Sequence, residues 1–185
     1  MKTLFLKYII FIVPVFLMVK CKDNRYIKTH KINSESQDAI LDSHNKKIDF
    51  MWTKSVNWIE SDLGSMRVAS FKVPYSRGLG DLSVIVLSQD GGGIKSNINR
   101  WRKQIGLKEQ SLLEINTYSE ILTNKLGSYR FIKIINDMNP ERAFLCSIIP
   151  LEDSTIFIKL SLHKDGINET EKDFKYFCNS FKPIK

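Results

Sequence analysis

Apolar residues first run unbroken by charge from Tyr8 to Val19, then thin out through 22–48. From Phe50 onward they settle into short alternating or helical patterns. Met51, Trp52, Val56, Trp58 and Ile59 open the part of the chain able to bury a core. From Arg67 to Val73, Ala69, Phe71 and Val73 alternate with Val68, Ser70 and Lys72, which predicts a half-buried strand stopped by Pro74. Tyr75 to Gly80 reads as a glycine-rich turn, and Asp81 to Leu87 as a second, more buried strand. Gly91-Gly92-Gly93 ends it, and a helix follows to Gly106, a residue suited to the position just past a helix. Ser119 to Leu126 reads as a strand or turn, and Tyr129 to Asn136 as a strand ending at Asn139-Pro140. Ala143 to Ile149 and Thr155 to Leu162 read as a strand pair.

A terminal helix closes the pattern. Asn168 is its expected N-cap, with Glu171 three residues on in a capping box. Phe174, Phe177, Cys178 and Phe181 form its apolar stripe. Short strands in runs, without strict strand–helix alternation, predict an α+β fold: a mostly antiparallel sheet with helices packed against it.

The first apolar run has the length of a signal-peptide core. It follows Lys2 and Lys7, and as a helix it would reach only about 18 Å, short of a hydrocarbon layer of about 30 Å. Cys21 comes next and resembles the acylated cysteine of bacterial lipoproteins, although Lys20 stands where those signals carry a small residue. Three outcomes stay open: lipidation of Cys21, a short uncleaved anchor, and cleavage elsewhere. Residues 1–21 therefore read as a leader, 22–48 as a polar tether and 49–185 as the folded domain. The expected address is the cell envelope, exported and held at a membrane by a lipid or short anchor.

The 185 residues carry a formal charge of +8, with Lys2, Lys7 and Lys20 in a leader that has no acidic residue. The remaining charges are interspersed, which predicts a solvated surface and no nucleic-acid groove. Anionic envelope polymers or lipid headgroups remain weak partners on this reading. His30, His44 and His163 stand apart, so neither a metal site nor a cofactor is expected. The triple glycine before Lys95-Ser96 lacks the spacing of a phosphate-binding loop, because Ile94 precedes the lysine, and reads instead as a flexible turn.

Cys146 shares a predicted strand face with Phe144 and Ile148, and Cys178 a helix face with Phe174 and Phe181. If that helix covers that face, the two thiols could be bridged in an oxidising compartment; otherwise each is a separately buried hydrophobe.

The distinctive segment is Gly91 to Leu107. Ile94, Ile98, Trp101 and Ile105 form a narrow apolar stripe, with Asn97, Arg100 and Gln104 along one edge and Asn99 and Lys103 pointing roughly away. Such a flank beside a tryptophan suits a polar or anionic ligand or a partner's backbone. It equally suits capping of neighbouring loops.

The pattern Asn97-x-Asn99-Arg100-Trp101-x-x-Gln104-x-Gly106-Leu107, after a strand and paired glycines, resembles a signature of uncharacterised bacterial secreted proteins and lipoproteins. The likeness runs from Trp52 to Phe181, and departs at Ser88-Gln89-Asp90, where Leu-Pro-Gly-Asp is expected. It implies the layered α/β/α fold of PsbP and Mog1, domains that act mainly by binding other proteins. The expected function is thus a membrane-tethered, non-enzymatic binding or accessory domain with an envelope protein as partner, and Asn97, Arg100, Trp101 and Gln104 as its contact residues. The alternatives are an enzyme combining Arg100 with a carboxylate such as Asp90 or Asp81, and a purely structural component.

Overall fold

The computed structural model describes residues 50–184; Cys21, the polar tether, His30 and His44 lie outside the described residues. Nine strands and three helices follow in order: β1 (Phe50–Met51), β2 (Ile59–Glu60), β3 (Arg67–Tyr75), β4 (Gly78–Ser88), α1 (Ile94–Gln104), α2 (Leu112–Thr117), β5 (Ser119–Asn124), β6 (Gly127–Ile134), β7 (Ala143–Pro150), β8 (Ser154–Leu162), α3 (Gly166–Asn179) and β9 (Lys182–Pro183). Seven strands form one sheet in the order β2-β3-β4-β8-β7-β6-β5, and every pairing in it is antiparallel. The α+β class expected from the runs of short strands is the one observed.

The period-2 alternation of β7 divides the core into two layers. Ala143, Leu145 and Ile149 face a cluster that includes Phe174, Phe177, Cys178 and Phe181 of α3 and its C-terminal end. Phe144, Cys146 and Ile148 face a second cluster that includes Ile98, Trp101 and Ile105 of α1 and its end, and Ile115 of α2. The sheet therefore lies between α3 on one side and α1 with α2 on the other. Under α3, Phe177 packs edge-on to Phe71 and Phe181 at ring distances of 5.8 and 5.2 Å. Trp58 closes the same nest at 5.1 Å from Phe177. β1 and β9 pair into a small sheet of their own, so both ends of the described region are tied together.

This layering decides between the two cysteine readings, in favour of two separately buried thiols. Cys146 and Cys178 lie on opposite faces of the sheet, both are fully buried, and both are free thiols. The terminal helix covers the face that Cys146 does not share. Burial raises the Cys178 thiol to about 12 and moves Cys146 in the same direction, so both stay protonated at neutral pH.

Three local expectations also change. β3 runs through Pro74 to Tyr75, with Pro74 opposite Leu79, so the turn is only Ser76-Arg77. The proline is tolerated because β2 pairs with β3 only at Phe71 and Lys72, which leaves that stretch of β3 without a second neighbour to bond. α3 begins at Gly166, so Asn168 is inside the helix and is not its N-cap. Only glycine fits at that start: a Cβ on Gly166 would sit 2.5 Å from Cδ2 of Tyr75 and 2.7 Å from Cδ1 of Leu162. Glu171, the expected capping partner, instead meets Lys133 at 3.1 Å and Lys175 at 2.9 Å. Among the described residues, the capping box belongs to α2, where Ser111 accepts from the Glu114 N–H at 3.2 Å and Glu114 accepts from the Ser111 N–H at 2.7 Å.

Candidate functional site

The site begins at the turn between β4 and α1. Gln89 has φ +53, and Gly91, Gly92 and Gly93 have φ +60, +92 and +84, so the chain reverses through four positive-φ positions, one before Asp90 and three after it. The turn is tied down by side chains. Asp90 Oδ1 accepts from the Gly92 N–H at 2.9 Å, and Asn97 Nδ2 donates to the carbonyls of Gly91 and Gly93 at 2.9 and 2.8 Å. Asn97 is thus buried and occupied by the turn, and its Oδ1 accepts from Arg100 Nη2 at 2.6 Å. The expectation of a flexible turn is replaced by one held from both sides.

α1 is fastened at its other end too. Leu107 N–H bonds to the Arg102 carbonyl at 3.0 Å and Gly106 N–H to that of Lys103 at 3.1 Å, around Gly106 at φ +75. Asn136 Nδ2 donates to the Ile105 carbonyl at 2.8 Å. Asn99, assigned by periodicity to the side away from the stripe, is buried as well. It clamps the loop before α2, donating to the Gln110 carbonyl at 2.9 Å and accepting from the Gln110 N–H at 2.8 Å. Ile98, Trp101 and Ile105 are buried, whereas Ile94 is partly exposed. Trp101 meets Phe157 edge-on at 6.2 Å.

Beside α1, part of the sheet face stays open and polar. In the cross-strand register, Asp81 lies opposite Ser161, Ser83 opposite Lys159 and Ile85 opposite Phe157, all on the α1 side. These residues, with Arg67 at the start of β3, Arg142 just before β7, and Arg100, Trp101 and Gln104 of α1, line a cleft of about 600 Å³. Arg67 makes a two-point contact with Asp81, at 3.2 and 2.8 Å, and Lys72 reaches the same carboxylate at 3.1 Å. The Arg67 bonds most, helped by the bond from Lys72, hold the Asp81 carboxyl below the usual carboxylate range, against burial as the second-largest effect.

Lys159 lies among these cations. Its Nζ donates to Gln104 Oε1 at 3.0 Å and sits 4.8 Å from the centre of the Phe144 ring. Burial lowers its pKa most, and the charges of Arg67 and Arg100 push the same way, against Asp81 and the Cys146 thiol. The lining holds four cations, Arg67, Arg100, Arg142 and Lys159, against one carboxylate, Asp81.

Of the expected contact residues, Arg100, Trp101 and Gln104 line this cleft. Asn97, also on α1, is not part of its lining and is bonded to the turn. Asp90 lines a different hollow with Arg130 and Ile94, so the carboxylate that shares the cleft with Arg100 is Asp81. Lys159 and Ser161 went unread in the sequence. Their signal is the alternation of polar residues on both neighbouring strands, Asp81 and Ser83 with Lys159 and Ser161, between buried Leu82, Val84, Ile158 and Leu160. Among the described residues, no group of three or more His, Cys, Asp or Glu side chains could hold a metal ion.

No protein-family model matches this chain. No curated protein matches it. Among solved structures, it is similar to the solution structure of cyanobacterial PsbP (CyanoP) from Synechocystis sp. PCC 6803, with 16% identity, a TM-score of 0.46, and 75% of this chain and 95% of that one covered. It is also similar to a Bacteroides thetaiotaomicron VPI-5482 crystal structure, with 11% identity and a TM-score of 0.47; 74% of this chain is covered but only 46% of the other.

Proposed function

We propose that this protein is a non-enzymatic binding or accessory domain of the bacterial cell envelope, carried at a membrane by its leader, with the cleft beside α1 as its binding face. The observation that carries the reading is the lining of that cleft, where four cations face one carboxylate that two basic side chains already hold. Charged groups gathered on a sheet face are costly unless something pairs with them. The address rests on the apolar run Tyr8–Val19 followed by Cys21.

Crosslinking of intact cells that make the full chain, followed by its capture, tests the role. Arg100 and Gln104 are exposed. Replacing both with alanine should abolish capture of a discrete partner and lower stability by about 2–3 kcal/mol, since Asn97 Oδ1 and Lys159 Nζ lose their partners. A double variant that melts much earlier while still capturing the same partner would assign this flank to scaffolding. In parallel, metabolic labelling with a clickable fatty acid should mark the parent and leave Cys21→Ala unlabelled; equal labelling of the two would remove the lipid anchor.

A second reading, an envelope enzyme, is favoured by one feature only, the lysine of lowered basicity within reach of a carboxylate cleft wall. In that case Lys159, Arg100 and Asp81 would form the site.

A further inference from the structure

We infer that the cleft beside α1 receives a small organic anion, with its carboxylate or phosphate head against Lys159, Arg100 and Arg142 and a compact apolar body against Ile85, Leu87 and Met66. The inference rests on the binding role proposed for the same cleft and names its ligand. Size comes first: about 600 Å³ is the scale of a small-molecule site. The walls are divided in kind, since Met66, Ile85 and Leu87 keep apolar surface open while the cations come from separate elements. Arg67 comes from β3, Arg100 from α1, Lys159 from β8, and Arg142 from the approach to β7.

Among the described residues, Lys159 makes no ion pair. Its register neighbours on this face are Ser83 and Cys146, and the adjoining positions are filled by Phe157 and Phe144. An apolar residue there would extend the existing cluster without the cost of desolvating a charge. Only one of its three donors is used, on Gln104, so two remain for an incoming anion. The Arg67 fork is spent on Asp81 and Ser70, so Arg67 fixes the floor of the cleft and leaves the head to the other three. An anion would relieve the repulsion that Arg67 and Arg100 exert on Lys159.

Calorimetric titration of the full chain in a non-ionic detergent tests this with four probes: phenyl phosphate, benzoate, benzyl alcohol and inorganic phosphate. One saturable site is expected, at least about tenfold tighter for one of the aromatic anions than for benzyl alcohol or inorganic phosphate. Which anion wins distinguishes a phosphate from a carboxylate ligand. Lys159→Met, which keeps the unbranched stem and loses the charged end, should weaken binding about tenfold or more, whereas Lys125→Met in the remote β5–β6 turn should change nothing. Should Lys159→Met melt early, Arg142→Gln on the exposed rim carries the same test, with an expected loss of about threefold to tenfold. Affinity in the parent should also fall as pH rises through the lowered Lys159 pKa. Lys159 is faced by Arg67, Asp81, Arg100 and Cys146, and of these steps only its own should vanish in Lys159→Met. Absence of saturable binding by both anions, or equal binding by parent, Lys159→Met and Arg142→Gln, overturns the inference. If partner capture then still depends on Arg100 and Gln104, the binding role stands and only the ligand class falls.

Discussion

Replacing Trp101 with alanine should destabilise the domain by about 3–5 kcal/mol, the range for truncating a buried aromatic side chain. Trp101 is only 4% exposed and belongs to the same apolar cluster as Ile98, Ile105, Ile115 and Phe157. Its loss removes the edge contact to Phe157 and leaves a void that the stiff isoleucines around it fill poorly. A domain of this size has about 5–15 kcal/mol in all, so the melting temperature should drop by roughly 10–20 °C. Trp101→Phe should recover most of the loss. Because the indole also lines the cleft, the alanine variant should lose anion binding even at temperatures where it remains folded. A melting temperature within a few degrees of the parent would mean that α1 is not held to the sheet by this side chain, and the cleft would then lack a fixed wall.

The α1 stripe was legible in the sequence because helical periodicity and burial agree there: Ile98, Trp101 and Ile105 fall together at 100° per residue, and all three are buried. The polar side of the same helix was only half legible. Periodicity can tell that Asn97 borders the stripe, but not that its amide turns back onto the carbonyls of Gly91 and Gly93, a contact made by the turn's three-dimensional path. Asn99 was placed on the outside for the same reason. The loop to Gln110 folds over that face and buries it, which no property of the helix alone predicts.

The cysteines show a different boundary. Each one's face was assigned correctly within its own element, Cys146 with Phe144 and Ile148, and Cys178 with Phe174 and Phe181. Which sheet face the last helix covers is a question of chain crossing, and alternation along a strand is symmetric with respect to it. The cleft was obscured in a related way. Lys159 alternates with Ile158 and Leu160 as in any half-buried strand, and that pattern does not tell that β8 lies in the middle of the sheet between β4 and β7. Only the strand order places Asp81, Ser83, Lys159 and Ser161 side by side, and only the reach of α1 leaves them uncovered.

The turn that positions α1 supplies the second large effect. Gly91→Ala should destabilise by about 2–5 kcal/mol, from two sources that can be measured apart. Gly91 has φ +60, where an alanine costs about 1–2 kcal/mol in backbone strain. Its Cβ would also sit 2.5 Å from Cε2 and 2.8 Å from Cζ of Phe157, and 3.2 Å from Cβ of Leu87, which adds overpacking of about 1–3 kcal/mol. Gly92 is the internal control: it has φ +92, yet a Cβ there meets nothing within 4 Å. Gly92→Ala should therefore show the strain alone, and the difference between the two variants in chemical denaturation isolates the clash. The Phe157 ring is both the edge partner of Trp101 and part of the cleft lining, so displacing it should disturb the site as well as the fold. Combining Gly91→Ala with Phe157→Leu should recover part of the loss, because the shorter side chain vacates the space the new methyl takes, and the two changes should be non-additive by about 1 kcal/mol or more. If Gly91→Ala costs no more than Gly92→Ala, the ring moves freely, and the turn then controls where α1 starts without setting the packing that shapes the cleft.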